Sequence, residues 1–218
     1  MRFLCLHGRG TNAEFFRHQM SSVCETLGDG HEFIFVDGSV PTTTPPPEGI
    51  MTQEVKIGGK RLGFWPLDNT NIDAYRAVCH GLSKFIDLQG PFDGFVGFCE
   101  GASVASTILA HDKEWPNSTV GVKCAIFFAG LPPLNLVTAR RCDVALDGVL
   151  VRVPTVHIWD KESDPDGCQE LADVCIEASR EVLNHDLGHG VPNLRSDPAW
   201  RKMIHAIERT IERAKDYE

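Results

Sequence analysis

Cys99 lies in the pentapeptide Gly97-Phe98-Cys99-Glu100-Gly101, and a thiol held between two glycines at that spacing is suited to attack a carbonyl carbon. The run 92–98 before it reads as a buried strand, and Gly101-Ala102-Ser103-Val104-Ala105 opens a helix of small residues. A strand that turns sharply into a helix lifts the turn residue above the sheet edge and aims the first helical N–H groups at it. The glycines are needed because a Cβ on either side of the turn would strike neighbouring backbone. The alternative for Cys99 is an inert, buried thiol in a tight turn.

A nucleophile of this kind needs a base, and the base needs an acid to orient it. Both follow Cys99 in the chain. The strand-like run Thr155-Val156-His157-Ile158-Trp159 leads into Asp160-Lys161-Glu162-Ser163-Asp164-Pro165, where Asp164 is the preferred acid and Asp160, at the strand end, the alternative. Further on, Glu181-Val182-Leu183-Asn184-His185 reads as a strand and Asp186-Leu187-Gly188-His189-Gly190 as a loop with glycines on both sides of His189. His189 is therefore the expected base, and His185 a packed residue at a strand end. His18, His80, His111 and His205 fall in expected helices, and His31 and His157 in or beside strands.

Acyl transfer also requires donors for the oxyanion that develops on the attacked carbonyl. The backbone N–H of Glu100, directly after the nucleophile, is one. The second is expected from the loop His7-Gly8-Arg9-Gly10-Thr11-Asn12, with the N–H of Arg9 the choice; its side chain is read either as part of the site or as a plain surface charge.

The elements that must position these residues alternate between strand and helix, the pattern of a parallel sheet covered on both faces. Strands are expected at about 2–7, 31–37, 92–98, 122–129, 154–159 and 180–184, and helices at about 13–27, 71–89, 100–112, 167–177 and 197–215. Asn12 is placed to cap the first helix and Gly28 to end it, with Asn71 and Ser196 as later caps. The segment 38–66 breaks the alternation with Pro41-Thr42-Thr43-Thr44-Pro45-Pro46-Pro47 and Gly58-Gly59. Such a loop is either a surface connector or a lid that borders the pocket. Phe64 and Trp65 at its end, Gly8 in the first loop, and Leu131 and Pro132 in a second irregular stretch over 130–152 are the expected pocket residues.

At 218 residues the chain suits a single domain spanning 1–218 with a sizeable core. A formal net charge of −9 argues against nucleic acid or an anionic membrane as partner. The first residues are too short an apolar run for a signal peptide, and no stretch approaches a membrane span. A cytoplasmic location is the expectation. The eight cysteines, at 5, 24, 79, 99, 124, 142, 168 and 175, form no C-x-x-C pair. Seven are read as reduced core thiols, Cys168 and Cys175 on one face of a helix, and no metal or other cofactor is expected.

Three motifs, Leu6-His7-Gly8-x-Gly10-Thr11-Asn12, Gly97-Phe98-x-x-Gly101-Ala102 and Gly188-His189-x-x-Pro192, together resemble the FSH family of eukaryotic serine hydrolases over nearly the whole chain. The resemblance implies an α/β-hydrolase fold, a mostly parallel central sheet flanked by helices, and a triad placed here at Cys99, Asp164 and His189. Fungal members include trans-acting thioesterases that release polyketide chains from the carrier domains of synthases in secondary metabolism. The chain departs from the pattern in two places: cysteine stands where the family has serine, and the loop from Trp159 to Asp164 is slightly longer.

A serine enzyme converts a carrier thioester into a more stable oxygen ester, whereas a cysteine enzyme exchanges thioester for thioester and keeps the acyl group activated. That suits attack by a hydroxyl on the same chain, which tethering makes effective. The expected function is thus a chain-releasing thioesterase that forms a lactone, acting on an acyl thioester carried by a polyketide synthase. The alternatives are simple thioester or carboxylester hydrolysis and, in a different class, a hydrolase fold that has lost catalysis and serves as a binding protein.

Overall fold

The computed structural model describes residues 1–45, 59–66, 71–114, 121–162, 167–193 and 195–216. Six strands form the central sheet: β1 (Arg2–Leu6), β2 (Glu32–Val36), β5 (Gly94–Phe98), β6 (Cys124–Phe128), β7 (Thr155–Asp160) and β8 (Arg180–His185). Their order is β2-β1-β5-β6-β7-β8, and every pairing within the sheet is parallel. Parallel strands need long crossovers, and α1 (Ala13–Leu27), α2 (Ile72–Gln89), α3 (Glu100–Ala110) and α5 (Gly167–Asp173) lie in them, while α6 (Pro198–Lys215) follows the last strand and packs back on the sheet.

Side chains alternate across each strand, so the sheet divides the core in two. Leu4, Leu6, Phe95, Ala125 and Phe127 pack with α2 and α3 on one face. On the other, Phe3, Cys5, Val96, Phe98, Ile126 and Phe128 pack with Phe16 and Met20 of α1 and Trp200, Met203 and Ile207 of α6. The central strands are buried on both faces, which is why they read as unbroken apolar runs.

Local cap chemistry fixes the helix ends. Asn12 accepts the Phe15 N–H at 2.9 Å and Gly28 ends α1; Asn71 accepts the Ala74 N–H at 3.0 Å to start α2. The last helix is capped by Asp197 rather than Ser196: the Asp197 carboxylate accepts the Ala199 N–H at 2.7 Å, with Pro198 opening the helix. The helix expected over 167–177 stops at Asp173, because Cys175 leaves it to bridge Val151 in a short parallel contact. Cys168 and Cys175 are both buried but do not share a helix. The helix expected over 100–112 ends at Ala110, with His111 as its C-cap.

The described part of 38–66 contains two short strands, β3 (Val40–Pro41) and β4 (Leu62–Gly63), paired antiparallel. β4 is tied to the loop after β1: Leu62 donates its N–H to Thr11 O and accepts that of Gly10, both at 2.9 Å. The described end of this segment therefore rests on the loop that carries Arg9. A one-turn helix, α4 (Val144–Asp147), interrupts the irregular stretch after β6. There Asp147 is held by Arg140 at 2.7 Å, and hydrogen bonds from that guanidinium draw the carboxyl down to about 2.

Candidate active site

The strand order reverses between β1 and β5, since the chain builds outward from β1 to β2 on one side and from β5 through β8 on the other. Ligands of open parallel sheets bind at such a switch point, beyond the carboxyl ends of the strands. Gly8 and Arg9 follow β1 there, and Cys99 follows β5.

Cys99 has φ 52° and ψ −113°, a left-handed conformation that costs a non-glycine residue ~1–3 kcal/mol and persists only where its surroundings enforce it. The enforcement is visible. The Cys99 N–H donates to Phe128 O at 2.9 Å, and its carbonyl accepts the N–H groups of Ala102 and Ser103 at 3.1 and 3.3 Å. A Cβ on Gly97 would lie 2.5 Å from Ala102 Cα, and one on Gly101 would lie 2.1 Å from Leu6 O. A Cβ on Gly8 would meet the Phe98 ring at 2.8 Å and Cys99 Cβ at 3.3 Å, so the first loop passes directly beside Cys99. Cys99 itself is half-buried.

Six of the other seven thiols are raised by burial, which leaves less thiolate to meet an electrophile. Burial pushes Cys24 and Cys142 up to about 11 and Cys79, Cys124 and Cys175 up to about 12, and raises Cys5 as well.

His189 follows β8, and its ring stands edge-on to that of Phe98, the residue before Cys99, with centroids 5.1 Å apart. The loop that carries it is fixed by Asp160, which is buried at the end of β7. Asp160 Oδ2 accepts the Gly188 N–H at 2.6 Å, and Oδ1 accepts the Glu162 N–H at 2.8 Å. Asp164 lies outside the described residues. His185 is buried at the strand end, as its sequence context suggests, and its Nδ1 accepts the Leu187 N–H at 3.2 Å.

The Arg9 guanidinium is not a plain surface charge. It folds onto the carboxylate of Glu100, with Nη2 also donating to Trp65 O at 2.6 Å. Glu100 is buried, and its Oε2 and Oε1 accept the N–H groups of Phe64 and Trp65 at 2.9 and 3.4 Å. Burial raises its carboxyl, against the lowering effect of Arg9 and of these N–H groups. Among the expected pocket residues, Phe64, Trp65 and Pro132 are buried and Leu131 half-buried. Trp65 packs edge-on to Tyr75.

Two contributors were not singled out from sequence. Ser103, one turn into α3, donates to Pro132 O at 2.9 Å and accepts from Trp65 Nε1 at 3.3 Å, joining the segments that carry these two residues. His7 is buried; its Nδ1 donates to Gly8 O at 2.8 Å and its Nε2 accepts the Gly38 N–H at 2.9 Å, and burial lowers its pKa. For His7 the available signal was a polar residue at the end of an otherwise apolar strand; Ser103, among the small residues of α3, offered none.

A six-stranded parallel sheet flanked by helices, with a strained strand-to-helix turn at its switch point, defines an α/β hydrolase. The family described as "Serine hydrolase (FSH1)" matches residues 1–199, and the chain belongs to it. It is 33% identical to "Esterase FPY3" of Fusarium mangiferae, with 98% of each chain covered. It is 26% identical to "Hydrolase phiM" of a fungal species, with 88% of each covered. Among solved structures, Arabidopsis thaliana SOBER1 superposes with a TM-score of 0.61 at 13% identity over 98% of both chains. A carboxylesterase from Mesorhizobium loti gives 0.59 at 14%, over 95% of this chain and 88% of the other. Among the described residues no helix is long and apolar enough to cross a membrane.

Proposed function

We propose that this hydrolase works through a cysteine acyl-enzyme, with Cys99 as nucleophile, His189 as base and Asp164 as the acid that orients it. The carrying observation is the conformation of Cys99: a left-handed residue at the switch point, locked by glycine contacts, with the His189 ring against the residue before it. His189 takes the thiol proton as Sγ bonds to the acyl carbon, and the N–H groups of Arg9 and Glu100 receive the oxyanion. Collapse breaks the bond to the carrier sulfur, which leaves with the proton from His189.

The acyl group now rests on sulfur and stays activated. A hydroxyl further along the same chain attacks it, its proton passes to His189, and the lactone departs as Cys99 is regenerated. We accordingly assign the protein to release of an acyl chain, of polyketide type, from a carrier-bound thioester by lactonisation. A cytoplasmic location suits the mechanism, since a catalytic thiol must stay reduced.

Simple ester or thioester hydrolysis is the second reading, favoured by the name of the Fusarium mangiferae relative. The two separate on products. A hydroxyacyl thioester is given to wild type and to Cys99→Ser, and lactone and free acid are quantified by chromatography. Lactonisation predicts mostly lactone from wild type and a shift toward acid in Cys99→Ser. Only acid from wild type, across several chain lengths, leaves a hydrolase.

A further inference from the structure

The two residues proposed to receive the oxyanion are joined through their own side chains. Arg9 and Glu100 are 91 positions apart, yet the guanidinium and carboxylate form a part-buried ion pair. That pair also grips a third segment, through the N–H groups of Phe64 and Trp65 on Glu100 and the carbonyl of Trp65 on Arg9. The fit is close: a Cβ on Gly63 would lie 2.9 Å from Glu100 Oε2 and 3.2 Å from both Arg9 Cζ and Nη1. Glu100 is the first residue of α3, so its position sets where the helix N-terminus stands relative to the loop after β1.

We infer that the Arg9–Glu100 ion pair is the positioning device of the oxyanion hole, fixing the spacing between the two backbone N–H groups on either side of the Cys99 thiol. The inference rests on the functional reading above. A buried carboxylate is costly unless it is fully partnered, and removing one partner leaves the other uncompensated. The pair therefore holds a single geometry, as a hole that must fit a transition state requires. Backbone ties between Leu62 and residues 10–11 hold the next part of the loop, and the Arg9 side chain links it to Glu100, the residue after Cys99.

The test compares wild type with Glu100→Gln, Arg9→Gln, the double variant and Arg9→Lys. It reads kcat and KM on an acyl thioester, the rate of Cys99 alkylation by iodoacetamide, and the melting temperature. Each single Gln variant is expected to lower kcat by about 10-fold or more, short of the ~10²–10³ for loss of a whole donor. KM and the alkylation rate should stay within about twofold, because neither uses the oxyanion hole. The double variant should cost no more than the worse single one, since the two side chains act as one unit. Arg9→Lys keeps the charge without the fork and should recover part of the loss.

Folded variants with wild-type kcat overturn the inference. So does a parallel fall of kcat and alkylation rate, which would mean that the pair supports the thiol and not the donors. If the Gln variants do not melt cooperatively, Arg9→Lys decides alone, by a lowered kcat at unchanged KM or by no change. A wild-type protein that alkylates at Cys99 but turns over neither thioester nor ester refutes the functional reading itself, before any variant is compared.

Discussion

Gly101→Ala sets two physical effects against each other at the first turn of α3. In an ordinary helix alanine is favoured over glycine by about 1 kcal/mol. Here the new methyl would sit 2.1 Å from Leu6 O, 2.5 Å from Leu6 C and 2.7 Å from His7 O, all backbone. Relieving the contact requires the helix start and the end of β1 to separate by about 1 Å, and overpacking of this kind costs ~1–3 kcal/mol. The steric effect wins by roughly 1 kcal/mol, a fall of about 2–4 °C in melting temperature for a chain of this length. The larger effect is on chemistry, since a misplacement of about 1 Å between nucleophile and oxyanion donors costs ~10²-fold in rate. Gly81→Ala is the control: it lies in α2, and its Cβ would meet nothing within 4 Å. It should raise the melting temperature by about 2–4 °C and leave kcat unchanged. Thermal melts and kcat on an acyl thioester check both. A Gly101→Ala protein that melts no lower than wild type and keeps its kcat would refute the argument from the Leu6 contact.

The two candidate acids, Asp160 at the end of β7 and Asp164 beyond it, should separate by phenotype. Asp160→Asn replaces one acceptor of two part-buried backbone N–H groups and should cost about 1 kcal/mol of stability in urea unfolding, whereas Asp164→Asn should lower kcat by ~10³-fold or more at unchanged stability. Loss of turnover at unchanged stability in Asp160→Asn would make Asp160 the triad acid. His157 is buried in β7, its Nε2 paired with Thr155 Oγ1 at 2.9 Å, and burial lowers it from the usual 6.5 to about 3. Between those values the unfolded chain binds the proton and the native chain does not, so stability falls as pH drops from about 6.5 toward 3. Relative to His157→Gln, wild type should lose on the order of 2 kcal/mol between pH 7.5 and pH 5. An equal stability gap at both pH values in urea titrations would contradict this.

What the sequence disclosed follows the range of the forces involved. The span of α1 from Asn12 to Gly28 was legible because its cap and stop act within four residues. The four central strands were legible as largely apolar runs, since both of their faces are covered; the edge strands β2 and β8 are only partly buried and carry polar residues. Asp197 displaced Ser196 as a cap because Pro198 fixes the first helical position, a distinction one residue wide. α5 was overextended because the Val151–Cys175 bridge that ends it comes from another part of the chain. β3 and β4, two residues each, are too short to show a period. At the site, Cys99, Arg9 and Glu100 were read from local motifs, and the structure brings all three to one switch point. The ion pair between Arg9 and Glu100 left no local signature, since it joins residues 91 apart through a third segment.

The most direct test of the central claim is intact-mass analysis after incubation with an acyl thioester, followed by peptide mapping. The account predicts one acyl group per chain, on the peptide that contains Cys99, and none in Cys99→Ala. No adduct and no turnover in wild type, or acylation spread over several cysteines, would contradict a catalytic Cys99.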